Sequence, residues 1–153
     1  MSINFQINDV LINEISLGPA PKNYLDIDTL KSKGIKSVLS LCSSIESPFS
    51  KELKKYFVHK RIVLPDHKTE RSVDIEEIYE AINLINLLYS SLPIYIHCLA
   101  GVERSPLICM AWLMKNNKLS FQEAFDYLIQ VNPSTNPMPE QFITLRDINF
   151  NQI

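Results

Sequence analysis

PIYIHCLAGVERSPLICMAWLMKN, Pro93 to Asn116, is the stretch on which the fold turns. It opens with a short apolar run, PIYIH (Pro93 to His97), of the length and kind expected for a strand buried on both faces. It closes with RSPLICMAWLMKN (Arg104 to Asn116), which is apolar almost all round, as a helix in the middle of a protein is. Between the two, His97 to Ser105 holds one of only three glycines and one of only three cysteines in the chain. Buried strand, tight loop and buried helix in succession make the building unit of a largely parallel α/β sheet. In such sheets ligands collect at the carboxyl ends of the strands, so the loop occupies the position of a site.

The flanking sequence continues the alternation. Upstream, Ile75, Ile78, Ile82, Ile85 and Leu88 fall at helical spacing within Val73 to Tyr89, behind a capping box of Asp74 and Glu77. Before that helix, FVHKRIVLP reads as a strand that stops at Pro65 and releases Asp66 into the polar loop DHKTERS. Two further β-rich runs, Val10 to Gly18 and Lys36 to Cys42, are separated by Pro19-Ala20-Pro21 and a short helix from about Asp26 to Lys33, with Gly34 as its stop. A short helix is expected over Ser50 to Tyr56. Downstream, Ser120 and Glu123 form a second capping box for a helix through Gln130, and Pro139 opens a last helix to about Asn149. The expectation is an α/β fold in one domain, residues 1–153, with a central, mostly parallel sheet of about four to five strands flanked by helices.

Bulk properties narrow the function. The 153 residues are 46% hydrophobic and 21% charged with a formal net charge of −2, which argues against a broad basic face for nucleic acid or anionic membrane. No apolar stretch is long enough to span a bilayer, and MSINFQINDV lacks the layout of a signal peptide, so a cytoplasmic protein is expected. Cys42, Cys98 and Cys109 are odd in number and lack metal-type spacing. Neither a disulfide framework nor a zinc site is expected, and no metal or cofactor.

The loop is suited to a phosphate-like anion. Successive backbone N–H groups in a tight loop form an anion-binding concavity, and the helix N-terminus adds partial positive charge. Gly101 permits a left-handed or crowded backbone. Leu99, Ala100, Val102 and Glu103 are the other positions of the cradle, and Arg104 can hold two phosphoryl oxygens with its planar fork. The field that attracts phosphate also stabilises a thiolate, which makes Cys98 a nucleophile for phosphorus. Ser105 can donate to the sulfur and help it leave, while His97 orients the loop by hydrogen bonding. A leaving alkoxide or phenoxide needs a proton from a carboxylic acid on a nearby loop. Asp66 is the first choice and Asp74 the rival, although Asp74 has a capping role. Cys109 reads as core, His59 and His67, which lack partners at metal or dyad spacing, as surface or loop residues, and Trp112, Met110 and Met114 as helix packing. Asn136 and Gln141 could touch the loop from the C-terminal region but stay outside the catalytic set.

HCLAGVERS resembles the H-C-x5-R-[ST] signature of cysteine-dependent protein phosphatases, and VLPDH resembles their general-acid loop. The small size, ISLGPAP followed by KSVLSLC, and the SFQEAFDYL helix are similar to the dual-specificity branch, a likeness running from Val10 to Leu145. The resemblance implies Cys98 as nucleophile, Arg104 as phosphate ligand, Asp66 as acid and then base, and Ser105 as the hydroxyl that aids thiolate departure. It also implies a phosphorylated protein as substrate. Glu103, beside the arginine, departs from the pattern and would repel a multiply charged substrate; Pro106 stiffens the helix start. KSVLSLC and PIYIHC both end in cysteine: Cys42 reads either as a strand-end packing residue or, as a resemblance to relatives that act on lipids implies, as the partner of Cys98 in a reversible disulfide. Three functions stay open: a phosphotyrosine and phosphoserine/phosphothreonine phosphatase, a phosphoinositide or other non-protein phosphatase, and a binding module without turnover.

Overall fold

The computed structural model describes residues 5–150. Five strands form one sheet in the order β1-β2-β5-β3-β4. They are β1 (Asn8–Leu11), β2 (Ile15–Gly18), β3 (Ser37–Ser40), β4 (Val58–Arg61) and β5 (Ile94–His97). Only the β1–β2 pair is antiparallel. The run Val10 to Gly18 is therefore two short strands of a hairpin rather than one. Asn13 turns the chain with φ of 63°, a left-handed conformation that asparagine tolerates better than most residues. Glu14 N–H closes the turn on Leu11 O at 2.9 Å.

Side-chain alternation divides the core. Val38 and Tyr95 face α1 (Tyr24–Ser32) and a 3-10 helix, Pro48–Lys55, packing with Ile27, Leu30, Leu53 and Phe57. Leu39 and Ile96 point the other way, into the larger cluster beneath α2 (Ile75–Leu88), α3 (Arg104–Asn116), α4 (Phe121–Val131) and α5 (Pro139–Arg146). Both capping boxes are formed, Asp74 with Glu77 and Ser120 with Glu123. Residues Arg104 to Leu113 of α3 are all buried, because α2, α4 and α5 surround it. The indole of Trp112 stacks on Tyr89 with ring centroids 5.0 Å apart and planes 22° from parallel. The last helix stops at Arg146, three residues short of the expected end.

One feature of register positions the site. Gly18, His97 and Ser40 lie side by side at the ends of β2, β5 and β3, and Arg61 of β4 is level with Ser40. Four neighbouring strands thus finish on one line. The segments that follow them, carrying Ala20, Glu46, Asp66 and the loop Cys98 to Glu103, emerge along one edge. Among the described residues no helix is long and apolar enough to cross a membrane.

Candidate active site

The loop between β5 and α3 is held from outside by its carbonyls. Leu99 O accepts from Ala20 N–H at 3.0 Å and Val102 O from Asn136 N–H at 2.8 Å. Gly101 O accepts from Asn132 Nδ2 at 3.1 Å, and Cys98 O from His97 Nδ1 at 2.9 Å. In a planar trans peptide the following N–H points away from the carbonyl, so carbonyls tied outward turn amides inward. Gly101 N–H reaches Cys98 Sγ at 3.2 Å, and Ser105 Oγ lies 3.3 Å from the same sulfur. Gly101 has φ of 75°, and a Cβ there would sit 2.8 Å from the carbonyl carbon of Gly18. Backbone conformation and close approach both require glycine.

His97 sits in a directed hydrogen-bond chain. A carbonyl only accepts, so Nδ1 carries the proton and Nε2 must accept from Ser40 Oγ at 2.6 Å. Ser40 Oγ in turn accepts from His59 Nε2 at 2.8 Å. Burial pushes both imidazoles down to about 4, helped for His97 by His59 and the nearby arginines and for His59 by Arg61 and Lys54. His59 is thus a partly buried residue of β4 bonded to Ser40, where a surface or loop residue was expected.

Arg104 is buried at 3% exposure. Nη1 donates to Glu46 Oε2 at 3.2 Å and to Leu64 O at 3.1 Å, while Nη2 donates to Glu46 Oε1 at 2.9 Å. A guanidinium has five N–H donors, so Nε and the second hydrogen of Nη2 remain for an anion. Burial works against the charge on Glu46, but hydrogen bonds from Arg104 and Ser43 hold its carboxyl below the ordinary range. Asp66 Oδ2 lies 3.9 Å from Arg104 Nη2. Its Oδ1 accepts from Lys68 N–H at 2.9 Å and Thr69 Oγ1 at 3.1 Å. Burial would raise the Asp66 pKa, yet these bonds and the charges of Arg104 and His67 keep it below the usual value.

A cleft of about 460 Å³ lined by Glu46, Leu64, Asp66, Leu99 and Arg104 joins these groups. A second, of about 500 Å³, borders the loop at Gly18, Lys22, Leu99, Ala100, Gly101 and Asn132. Neither is lined by Glu103 or Asp74. Glu103 turns instead to His67, with Oε2 2.6 Å from Nδ1, so the loop's acid does not face the clefts as the sequence suggested. Asp74 is occupied in capping α2. The structure therefore brings Cys98, Arg104, Ser105, His97 and Asp66 together and leaves Asp74 aside. Cys42 is a buried free thiol 3.9 Å from His97 Nδ1, pushed up to about 11 chiefly by burial. Glu46 and Asn132 escaped sequence reading, since their partners Arg104 and Gly101 lie 58 and 31 residues away. Among the described residues no His/Cys/Asp/Glu cluster is arranged to hold a metal ion.

The model of the dual specificity phosphatase catalytic domain matches residues 16–150, and the chain belongs to that family of cysteine-dependent phosphatases. Dual specificity protein phosphatase 1-B of Xenopus laevis is 30% identical over 104 residues, 67% of this chain and 27% of its own length. Dual specificity protein phosphatase 2 of Homo sapiens is 33% identical over 107 residues, 69% of this chain and 32% of its own. The chain thus spans about a third or less of these relatives. Among solved structures, the active form of Tk-PTP superposes with a TM-score of 0.82 at 22% identity, covering 96% of this chain and 97% of that one. PTPMT1 in complex with PI(5)P superposes with a TM-score of 0.75 at 19% identity, covering 88% of each. At these identities the structural likeness concerns the fold.

Proposed function

We propose that the domain hydrolyses phosphotyrosine, and also phosphoserine and phosphothreonine, in proteins through a phosphocysteine intermediate. The observation that carries this reading is the sulfur of Cys98, which meets Gly101 N–H at 3.2 Å and Ser105 Oγ at 3.3 Å at a helix start beside a buried arginine. The thiolate attacks phosphorus, the P–O bond to the leaving group breaks, and the equatorial oxygens rest on the loop amides and the free edge of Arg104. Asp66 gives its proton to the departing oxygen. It then takes one from the water that attacks phosphorus, and the S–P bond breaks with Ser105 donating to the returning thiolate.

Asp66 is held ionised in the free site by its hydrogen bonds and Arg104, so it must gain its proton as substrate arrives. A phosphate dianion beside it raises its proton affinity and competes for Arg104, which supplies the switch. Arg104 is the sole basic residue from Cys98 to Ser105, which suits one phosphate in the loop, while Lys68 and Arg71 line the same cleft and offer charge to the rest of the substrate. The tyrosine phenoxide is a better leaving group than a serine or threonine alkoxide, so phosphotyrosine is the preferred substrate.

Phosphate release from phosphotyrosine, phosphothreonine and phosphoinositide substrates tests the proposal. Wild type is expected to turn over both peptides, phosphotyrosine faster, and Cys98→Ser to lose turnover while still binding vanadate. Preference for the phosphoinositide would replace the protein reading, and appreciable turnover by Cys98→Ser would remove the covalent mechanism.

A further inference from the structure

We propose that His67 and Glu103 form a latch that fixes the Asp66 turn over the phosphate-binding loop, making both of them positioning residues for the proton transfer. The proposal rests on the assignment of the acid role to Asp66. His67 follows Asp66 directly in the chain, and Glu103 precedes Arg104 directly. The bond between Nδ1 and Oε2, at 2.6 Å, therefore joins the segment leaving β4 to the loop leaving β5 at the residues adjoining the two groups that face substrate.

The Asp66 turn is ordered internally. Thr69 N–H bonds to Asp66 O at 3.1 Å, while Lys68 N–H and Thr69 Oγ1 hold Oδ1 and so aim Oδ2 at the cleft. None of these bonds fixes the turn relative to Cys98. Leu64 O on Arg104 anchors the segment two residues earlier, and Asp66 itself approaches Arg104 only to 3.9 Å. His67–Glu103 supplies the missing tie. His67 is not there for packing, since its side chain is 53% exposed, while that of Glu103 is 16% exposed. Glu103 Oε1 is buried without a hydrogen-bond partner, so the carboxylate keeps this place for the bond its other oxygen makes. A carboxylate oxygen only accepts, so Nδ1 carries the proton. An asparagine at the same position offers a donor at the same distance along the side chain.

The test compares kcat/KM, which covers the steps through phosphocysteine formation, for an alkyl phosphate and for an aryl phosphate of an acidic phenol. Only the alkyl substrate depends strongly on the proton. His67→Ala and Glu103→Ala are each expected to lower the alkyl value about tenfold, the cost of a misplaced catalytic group, and the aryl value far less. The double variant should lose no more than either single one, and His67→Asn should recover most of the alkyl rate. Asp66→Asn is the reference. If it moves the alkyl-to-aryl ratio while His67→Ala does not, or if His67→Asn is as impaired as His67→Ala, the latch is overturned and Asp66 stands. If Asp66→Asn leaves the ratio where it was, the acid assignment fails and takes the latch with it.

Discussion

Gly101 and Gly34 have nearly the same backbone, with φ of 75° and 82°, but opposite surroundings. A Cβ on Gly34 would meet nothing within 4 Å, whereas one on Gly101 would press on the Gly18 backbone at 2.8 Å. Gly34→Ala therefore carries only the left-handed strain of an L-residue, about 1–2 kcal/mol. Gly101→Ala carries that strain and a collision at the floor of the anion cradle. Chemical denaturation should show a loss of that size for Gly34→Ala with vanadate affinity retained. Gly101→Ala should lose both stability and vanadate affinity, and equal vanadate affinities in the two variants would refute a cradle built on this contact. The same locality explains what the sequence displayed of the site. Cys98, Gly101, Arg104 and Ser105 share one short loop, so their spacing is visible in the chain. Glu46, Asn132 and the pairing of His67 with Glu103 depend on contacts 31 to 58 residues apart, which only the folded sheet edge creates.

At the level of elements, local signals were legible where a reciprocal capping box opens the helix, as at Asp74 and Ser120, whereas the single Asn23 cap of α1 passed unread. Asp74 Oδ1 accepts from Glu77 N–H at 2.9 Å, Glu77 Oε1 accepts from Asp74 N–H at 3.1 Å, and Arg71 bonds both oxygens of Glu77. Asp74→Ala is expected to cost about 1 kcal/mol, a fall of about 2–4 °C in melting temperature for a domain of this size. Because Asp74 stands outside the cleft, its alkyl-to-aryl ratio should match wild type; a reduced ratio would move the acid from Asp66 to Asp74. The β1–β2 hairpin was hidden for a related reason. Its turn uses Ile12, Asn13 and Glu14, without glycine or proline, so Asn13 alone marks the break in an otherwise β-rich run.

Across the whole molecule, stability is tied to pH through the buried imidazoles behind the loop. His59 and His97 are pushed down to about 4 in the fold, from an ordinary value near 6.5. Between those two pH values the unfolded chain binds protons that the folded one does not, so the free energy of unfolding rises with pH there. Their contribution is complete above about 6.5 and is lost as pH falls toward 4. Melting temperature should therefore drop across this window, and His59→Gln should flatten the slope by about one proton; an identical slope in that variant would place the proton uptake elsewhere. The stacked pair Trp112 and Tyr89 adds an optical consequence. The chain's single tryptophan is 4% exposed on the helix that begins at Arg104, so a blue-shifted emission insensitive to solvent quenchers is the expected outcome of a fluorescence measurement. Intrinsic fluorescence consequently reports the integrity of the core without a label, since neither cleft beside the loop is lined by Trp112.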